Sequence, residues 1–181
     1  MKRLGWMPLA LALLAVFAAG FTLHAYLFPP WTVAGVQPVF SPDDAPAVLL
    51  AQIASADATL DVMLYQFSYA PLIDALVSAS NRGVTVRVLL DRQIKSNLYT
   101  AERLALSGVR VQWASTEFAS THAKFVVVDG AAVFVGSTNW SRHAMELNRE
   151  AGVLVRSVDV AQAFLTVFES DWGKATPWKR A

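Results

Sequence analysis

The sequence contains no cysteine. Disulfide bonds and thiolate zinc sites both need cysteine, so both are excluded. This absence does not assign a compartment, because many exported proteins also lack disulfides. The sequence also lacks a dense cluster of carboxylates and a pair of histidines at metal-ligand spacing, so we expect no catalytic metal and no cofactor.

Charge is scarce as well, with 16% charged residues and a net charge of +1. Without Lys2 and Arg3 the chain carries 13 basic and 14 acidic side chains. It is therefore not a polybasic nucleic-acid binder as a whole, and any attraction for phosphate must be local. Basic residues that could line a groove for a polyanion, or simply cap helices and loops, are Arg82, Arg87, Arg92 and Lys95. Aromatic residues that could stack on bases, or pack in the core, are Trp113, Phe118 and Trp140.

One long apolar stretch, residues 4–28, follows Lys2 and Arg3 and ends at Pro29-Pro30. About 20 apolar residues cross a bilayer as a helix, so this stretch predicts a membrane anchor. The next basic residue is Arg82, and this asymmetry predicts that the N-terminus lies in the cytoplasm and the remainder is exported. A signal peptide cleaved near Ala18 or Gly20 is the alternative. We therefore divide the chain into residues 1–30, an anchor or signal peptide, and residues 31–181, a domain facing the periplasm or secreted.

The remainder has no internal repeat, and strand and helix patterns alternate along it. Residues 29–37 indicate a linker, and Ser41-Pro42 indicates the start of a helix that ends near Ala56. Further helices are predicted at residues 71–80 and 98–106, and strands at residues 59–67, 84–90 and 109–113. Strands that alternate with helices pair in parallel through crossover helices, so we predict an α/β fold.

The chemistry lies in residues 121–140, which read THAKFVVVDGAAVFVGSTNW. Two strands, residues 122–128 and 132–135, flank the turn signal Asp129-Gly130. Residues two apart in a strand share a face, so His122 and Lys124 project side by side. Asp129 lies an odd number of positions from His122, which argues against its touching the same phosphate. Ser137 and Asn139 follow the second strand and offer a hydroxyl and an amide.

The spacing of these residues matches a known signature. His122, Lys124, Asp129 and the Gly136-Ser137 pair occupy every fixed position of HxKxxxxDxxxxxxGS, and the chain thus resembles the phospholipase D superfamily. The resemblance extends over residues 36–172 and implies a mixed β-sheet flanked by helices on both faces. It implies that Asn139 binds phosphate and that Glu150 orients the histidine.

The resemblance assigns roles to six residues. The catalytic residues are His122, Lys124, Asp129 and Glu150, and the substrate phosphate is bound by Lys124, Ser137 and Asn139. The family forms a phosphohistidine, and one imidazole cannot be nucleophile and acid at once. The other histidines are His24, in the apolar stretch, and His143, which is typical of a surface position. The resemblance to short single-motif bacterial endonucleases therefore implies a homodimer with a composite active site.

Three classes of function follow from this resemblance. A non-specific, metal-independent endonuclease acting on DNA or RNA is favoured by the short single-motif plan. A hydrolase of membrane phospholipids is the alternative, since a mitochondrial branch with an N-terminal anchor shares this plan, although it often adds a Cys/His zinc element that is missing here. The third class is a non-catalytic protein that retains the fold. An apolar, aromatic-rimmed groove would indicate a lipid substrate, and a basic groove would indicate nucleic acid.

Overall fold

The computed structural model describes residues 35–180 and, in the N-terminal stretch, residue 16. The chain divides into two units, residues 1–34 and residues 35–181, and the description concerns the second. Its strands are β1 (Val36–Ser41), β2 (Thr59–Leu64), β3 (Thr85–Leu90), β4 (Arg110–Trp113), β5 (Lys124–Val128), β6 (Ala132–Gly136), β7 (Glu150–Arg156) and β8 (Thr176–Pro177). Its helices are α1 (Ala45–Ala54), α2 (Ala70–Asn81), α3 (Ser96–Leu106) and α4 (Val158–Lys174), with a π-helical turn at His143–Leu147.

The strands form one mixed sheet in the order β1-β7-β6-β5-β2-β3-β4-β8. β2, β3 and β4 are parallel, as predicted, because α2 and α3 carry the chain back between them. β5, β6 and β7 are antiparallel to their neighbours. The turn between β5 and β6, residues 129–131, is too short for a crossover. The α/β class with a mixed sheet flanked by helices is confirmed.

Two apolar layers cover the two faces of the sheet. On one face, α1, α2 and α3 bury side chains such as Leu49, Leu76 and Leu104 against the strands. On the other face, α4 buries Ala161 and Phe168 against residues of the central strands, namely Met63, Leu89, Phe125, Val127 and Val133. β3 therefore has apolar side chains in both layers, as is typical of parallel strands covered on both faces.

The start of the domain differs from the prediction. Residues 36–41 form an edge strand paired with β7, although the sequence indicated a linker to residue 37. Ser41 is buried at the end of this strand and does not cap a helix. α1 begins at Ala45, and the carboxylate of Asp44 instead accepts a hydrogen bond from the backbone amide of Phe40 at 2.7 Å.

The turn between β5 and β6 agrees with the prediction. Asp129 and Gly130 both have positive φ, 50° and 60°, as a type I′ hairpin turn requires. Among residues 35–180 no helix has the length and apolarity needed to cross a membrane. The predicted anchor or signal peptide and the predicted N-terminal hydrophobic helix lie outside the described residues, apart from residue 16.

Candidate active site

His122 and Lys124 lie together at the start of β5. His122 comes just before the strand and is exposed, whereas Lys124 is its first residue and is only 5% exposed. The Lys124 Nζ atom lies 3.0 Å from His122 Nδ1 and donates to the His122 backbone oxygen at 2.6 Å. An ammonium group only donates hydrogen bonds, so the ring nitrogen that faces it carries a lone pair and no proton. Lys124 is therefore the donor and His122 the acceptor in this contact.

Tyr65 forms the third side of this group. The centroids of the Tyr65 and His122 rings are 4.4 Å apart, and Lys124 Nζ lies 5.1 Å from the Tyr65 centroid. Burial lowers the pKa of Lys124, and the negative charge of Glu150 offsets part of this effect. The sequence analysis missed Tyr65, because an aromatic residue after a buried strand carries no distinctive signal.

Ser137 and Glu150 meet at the adjacent ends of β6 and β7. The Ser137 hydroxyl donates to Glu150 Oε2 at 2.5 Å and accepts from the backbone amide of Ala151 at 3.2 Å. Glu150 Oε1 accepts from the Asn148 side chain at 3.2 Å. The hydrogen bonds of the Glu150 carboxylate are thus with Ser137 and Asn148, and its predicted orientation of His122 stays a prediction.

Asn139 is half-buried, and its Oδ1 atom has no hydrogen-bond partner within the described residues. The backbone holds it in place, since the next residue, Trp140, donates to the Gln66 oxygen at 3.0 Å. Trp140 is fully buried and contacts Phe67 edge-to-face at 5.1 Å. A phosphate oxygen only accepts hydrogen bonds, so Asn139 would bind it through its Nδ2 group and not through this oxygen, and the predicted phosphate contact of Asn139 stays a prediction.

Asp129 lies at the opposite end of β5 from Lys124. Its carboxylate accepts hydrogen bonds from the backbone amides of Asp57, Ala58 and Thr59 at 2.8–3.0 Å. Burial raises the pKa of Asp129, but these three hydrogen bonds outweigh it and hold the pKa below its ordinary value. This geometry fits a brace for the hairpin and the start of β2, and the catalytic role of Asp129 stays a prediction.

The four basic positions do not form one groove. Arg82 donates to the backbone oxygens of Ile53 and Ala54 at the end of α1. Arg87 pairs with Asp61 at 2.5 Å and with Glu169 at 2.6 Å on the α4 side of the sheet. Arg92 and Lys95 are exposed after β3. Two of the four cations are therefore engaged inside the domain.

The predicted stacking residues lie partly in the core and partly at the surface. Trp113 and Trp140 are buried in the core, whereas Phe118 is 53% exposed. His143 is exposed at the start of the π-helical turn, and His24 lies outside the described residues. Within residues 35–180, no group of three or more His, Cys, Asp or Glu side chains could hold a metal ion.

A cavity of about 480 Å³ adjoins the His122–Lys124 pair. Its wall comes from β5, β6 and α4 and is mainly apolar. The lining residues beyond the pair are Ala123, Phe125, Val135, Gly136, Ala163, Phe164 and Val167. A substrate bound at Lys124 therefore has an apolar surface beside it.

A family model and several known proteins match this chain over most of its length. The family model described as cardiolipin synthase, phospholipase D-like domain, matches residues 49–172. Mitochondrial cardiolipin hydrolase from Xenopus laevis is 31% identical over 172 residues, covering 86% of this chain and 79% of that protein. A phospholipase D from Rickettsia conorii is 29% identical over 115 residues, covering 63% of this chain and 57% of that protein.

Two solved structures resemble the fold over nearly their whole length. Nuc from Salmonella typhimurium, described as a phospholipase D family member, has a TM-score of 0.76 and 28% identity, covering 80% of this chain and 98% of that one. NucT from Helicobacter pylori has a TM-score of 0.72 and 19% identity, covering 79% of this chain and 98% of that one. The likeness to NucT is one of fold alone.

Proposed function

Because the chain belongs to the phospholipase D superfamily and is a phosphodiester hydrolase of that superfamily, we propose that its substrate is a membrane phospholipid. The observation that carries this proposal is the apolar cavity beside His122 and Lys124. Ligand sites are typically clefts of this size, with apolar walls and a few polar groups that fix orientation. The apolar wall of this cavity can contact an acyl chain, and the Lys124 ammonium at its edge can bind a phosphate.

The proposed reaction has two displacements at phosphorus. A ring nitrogen of His122 attacks the phosphorus atom, and the bond from phosphorus to the headgroup oxygen breaks as an acid protonates that oxygen. Water then attacks the phosphohistidine, gives up a proton to the same group, and frees His122. Lys124 and the amide of Asn139 stabilise the charge on the phosphoryl oxygens in both steps.

The acid comes from a second copy of the chain in this proposal. His122 is occupied as nucleophile, and His143 lies in a different element, on the π-helical turn. A two-fold dimer would bring a second His122 to the same phosphorus, so that each composite site uses one imidazole as nucleophile and the other as acid.

The N-terminal stretch supports a lipid substrate from the sequence side. Residues 4–28 are long enough to anchor the chain, and an anchored domain meets phospholipid at high local concentration. The charge bias of Lys2 and Arg3 places the domain outside the cytoplasm in this proposal.

A nuclease is the second candidate, and one feature favours it. Arg92 and Lys95 are exposed in the segment after β3. Asp91, just before them, accepts a hydrogen bond from the backbone amide of Thr121 at 2.8 Å, next to His122. Two exposed cations on this segment suit the backbone of a nucleic acid.

A substrate panel tests the two candidates. The full-length protein in detergent is incubated in EDTA with phospholipid micelles, single-stranded DNA and double-stranded DNA, and released headgroup and nucleotides are measured. We expect headgroup release without added metal. Nucleotide release with intact lipid would establish the nuclease instead, and a strict need for added metal would refute the mechanism.

Substitution of two exposed valines on α4 tests whether the cavity binds the lipid. Val167 lines the cavity and is 54% exposed, whereas Val158 is 59% exposed and lies outside its lining. Val167→Glu should lower lipid hydrolysis about tenfold or more by placing a charge where an acyl chain binds. Val158→Glu should leave it near the wild-type level, and equal effects of the two changes would contradict the lipid proposal.

A further inference from the structure

The Lys124 ammonium carries three N–H donors, and two of them have partners on His122. These partners are the backbone oxygen at 2.6 Å and Nδ1 at 3.0 Å. The ring of Tyr65 lies beside this ammonium, with Nζ 5.1 Å from the ring centroid. A buried ammonium that lacks such a partner is costly, and an aromatic face within about 6 Å supplies one.

The same ring holds the imidazole. The Tyr65 and His122 centroids are 4.4 Å apart and their planes are inclined by 50°. The backbone of Tyr65 also extends the sheet towards the site, because its amide donates to the Ala123 oxygen at 2.9 Å, between His122 and Lys124. Tyr65 therefore meets both halves of the His-Lys pair.

The backbone of Tyr65 is held in place by Asn97, a buried side chain of α3. Asn97 is fully buried; its Nδ2 donates to the backbone oxygens of Tyr65 and Asp91, and its Oδ1 accepts from the Phe67 amide, all at 2.8 Å. Thr100, one turn further along α3, donates to the Phe67 oxygen at 2.6 Å. The segment after β2 is thus held at both of its ends.

From these contacts we propose that Tyr65 is a positioning residue for hydrolysis. Its aromatic face holds the Lys124 ammonium and the His122 imidazole in the arrangement that the reaction requires. Its hydroxyl is not required. Asn97 transmits this order from the core of α3. The inference rests on the proposed role of His122 as nucleophile, and it holds for lipid and nucleic-acid substrates alike.

The test compares Tyr65→Leu with Tyr65→Phe in the full-length protein, using bis(4-nitrophenyl) phosphate as a small phosphodiester. Tyr65→Leu should lower kcat about 10-fold to 30-fold, the size expected for a desolvated cation–π contact, while KM changes less than about threefold. Tyr65→Phe keeps the aromatic face and should retain activity within about threefold. Tyr99→Leu removes a tyrosine that is 65% exposed on α3 and serves as the matched control.

A second measurement separates positioning from general packing. In a Lys124→Met background, Tyr65→Leu should cause little further loss of kcat, because the ammonium it positions is gone. Circular dichroism checks the fold of every variant, and Tyr65→Met replaces Tyr65→Leu if the latter does not fold. Equal activity of the Leu and Phe variants, a loss confined to KM, or an undiminished effect in the Lys124→Met background would overturn the inference.

His122→Ala in the same assay keeps the two proposals distinct. Activity retained in His122→Ala would refute the proposed nucleophile. An inactive His122→Ala beside a fully active Tyr65→Leu would refute the positioning role alone.

Discussion

Asp129 is a single residue that ties two distant parts of the chain together. Its positive φ closes the hairpin, and its carboxylate accepts hydrogen bonds from three successive backbone amides at the start of β2. Its folded pKa lies below the ordinary value of 3.8. The stabilisation from this carboxylate is therefore fully present above that ordinary value and is lost as the pH falls through the lower, folded pKa.

Asp129→Asn tests this role, because asparagine tolerates the same backbone conformation. At pH 7 the variant should lose about 1–3 kcal/mol of unfolding free energy, since the Asp57 amide then faces an amide nitrogen. The difference from wild type should shrink as the pH falls below 3.8, as measured by urea unfolding at several pH values. Asp171→Asn, on α4, is the control and should change stability by less than about 0.5 kcal/mol.

Turnover by the folded fraction of Asp129→Asn decides between brace and catalyst. A brace predicts that a folded variant retains hydrolysis. Complete loss of turnover with an intact fold would support the direct catalytic role.

Single residues also mark where sequence reasoning succeeded and failed. The spacing of His122 and Lys124 predicted their proximity, although His122 lies just outside the strand. Asn97 was missed, yet it falls on the buried stripe of α3 with Thr100, Ala101 and Leu104. A polar residue on such a stripe is a signal for a buried hydrogen-bond network.

At the scale of elements, the local patterns predicted α1, α2, α3 and the parallel strands to within a few residues, whereas α4 was not predicted. The direction of the antiparallel strands was harder to predict. Strand direction was inferred from long helices between strands, and β5, β6 and β7 have none between them. β1 was missed because Pro38 interrupts its pattern and cannot donate a ladder hydrogen bond, and pairing with β7 decides its conformation. Tertiary pairing outweighed local propensity there.

Close contact between β6 and β7 gives a second prediction. A Cβ atom on Gly136 would lie 2.6 Å from the Ala151 oxygen and from the Gly152 Cα atom. Gly136→Ala should therefore lower the unfolding free energy by about 1–3 kcal/mol. It should also lower kcat, because a shift of β6 would displace Ser137 and Asn139, which follow this strand. Denaturant unfolding and steady-state kinetics measure the two effects.

Gly173→Ala is the matched control, since a Cβ atom on Gly173 meets nothing within 4 Å. This variant should be as stable as wild type or more stable by about 0.5–1 kcal/mol, because alanine favours a helix. Normal activity in Gly136→Ala would show that β6 and β7 can separate without disturbing the site.

At the scale of the whole molecule, the chain offers one His-Lys pair to a reaction that needs a nucleophile and an acid. The proposed dimer supplies the second imidazole. The anchor or signal peptide at residues 1–30 and the resulting location of the domain stay predictions, since they fall on residues outside the described part.

Mixing subunits tests the composite site. Wild type is refolded together with an excess of His122→Ala, and hydrolysis is measured against the fraction of wild type. Heterodimers should be inactive, so activity should fall with the square of that fraction. Refolding with an excess of His143→Ala is the control and should leave activity high.

A linear fall would mean that each chain works alone. His143 would then return as the candidate acid, and its alanine variant should lose turnover.

The pairing of Leu64 with Lys124 has a consequence for the order of folding. The β5–β6–β7 ribbon joins strands that follow one another in the chain and can form early, whereas β2 must find β5 across the intervening α2, β3, α3 and β4. Tyr65 reaches His122 only after that late encounter. During refolding, backbone structure should therefore return ahead of hydrolysis, and a newly made chain remains inactive until β2 has paired with β5.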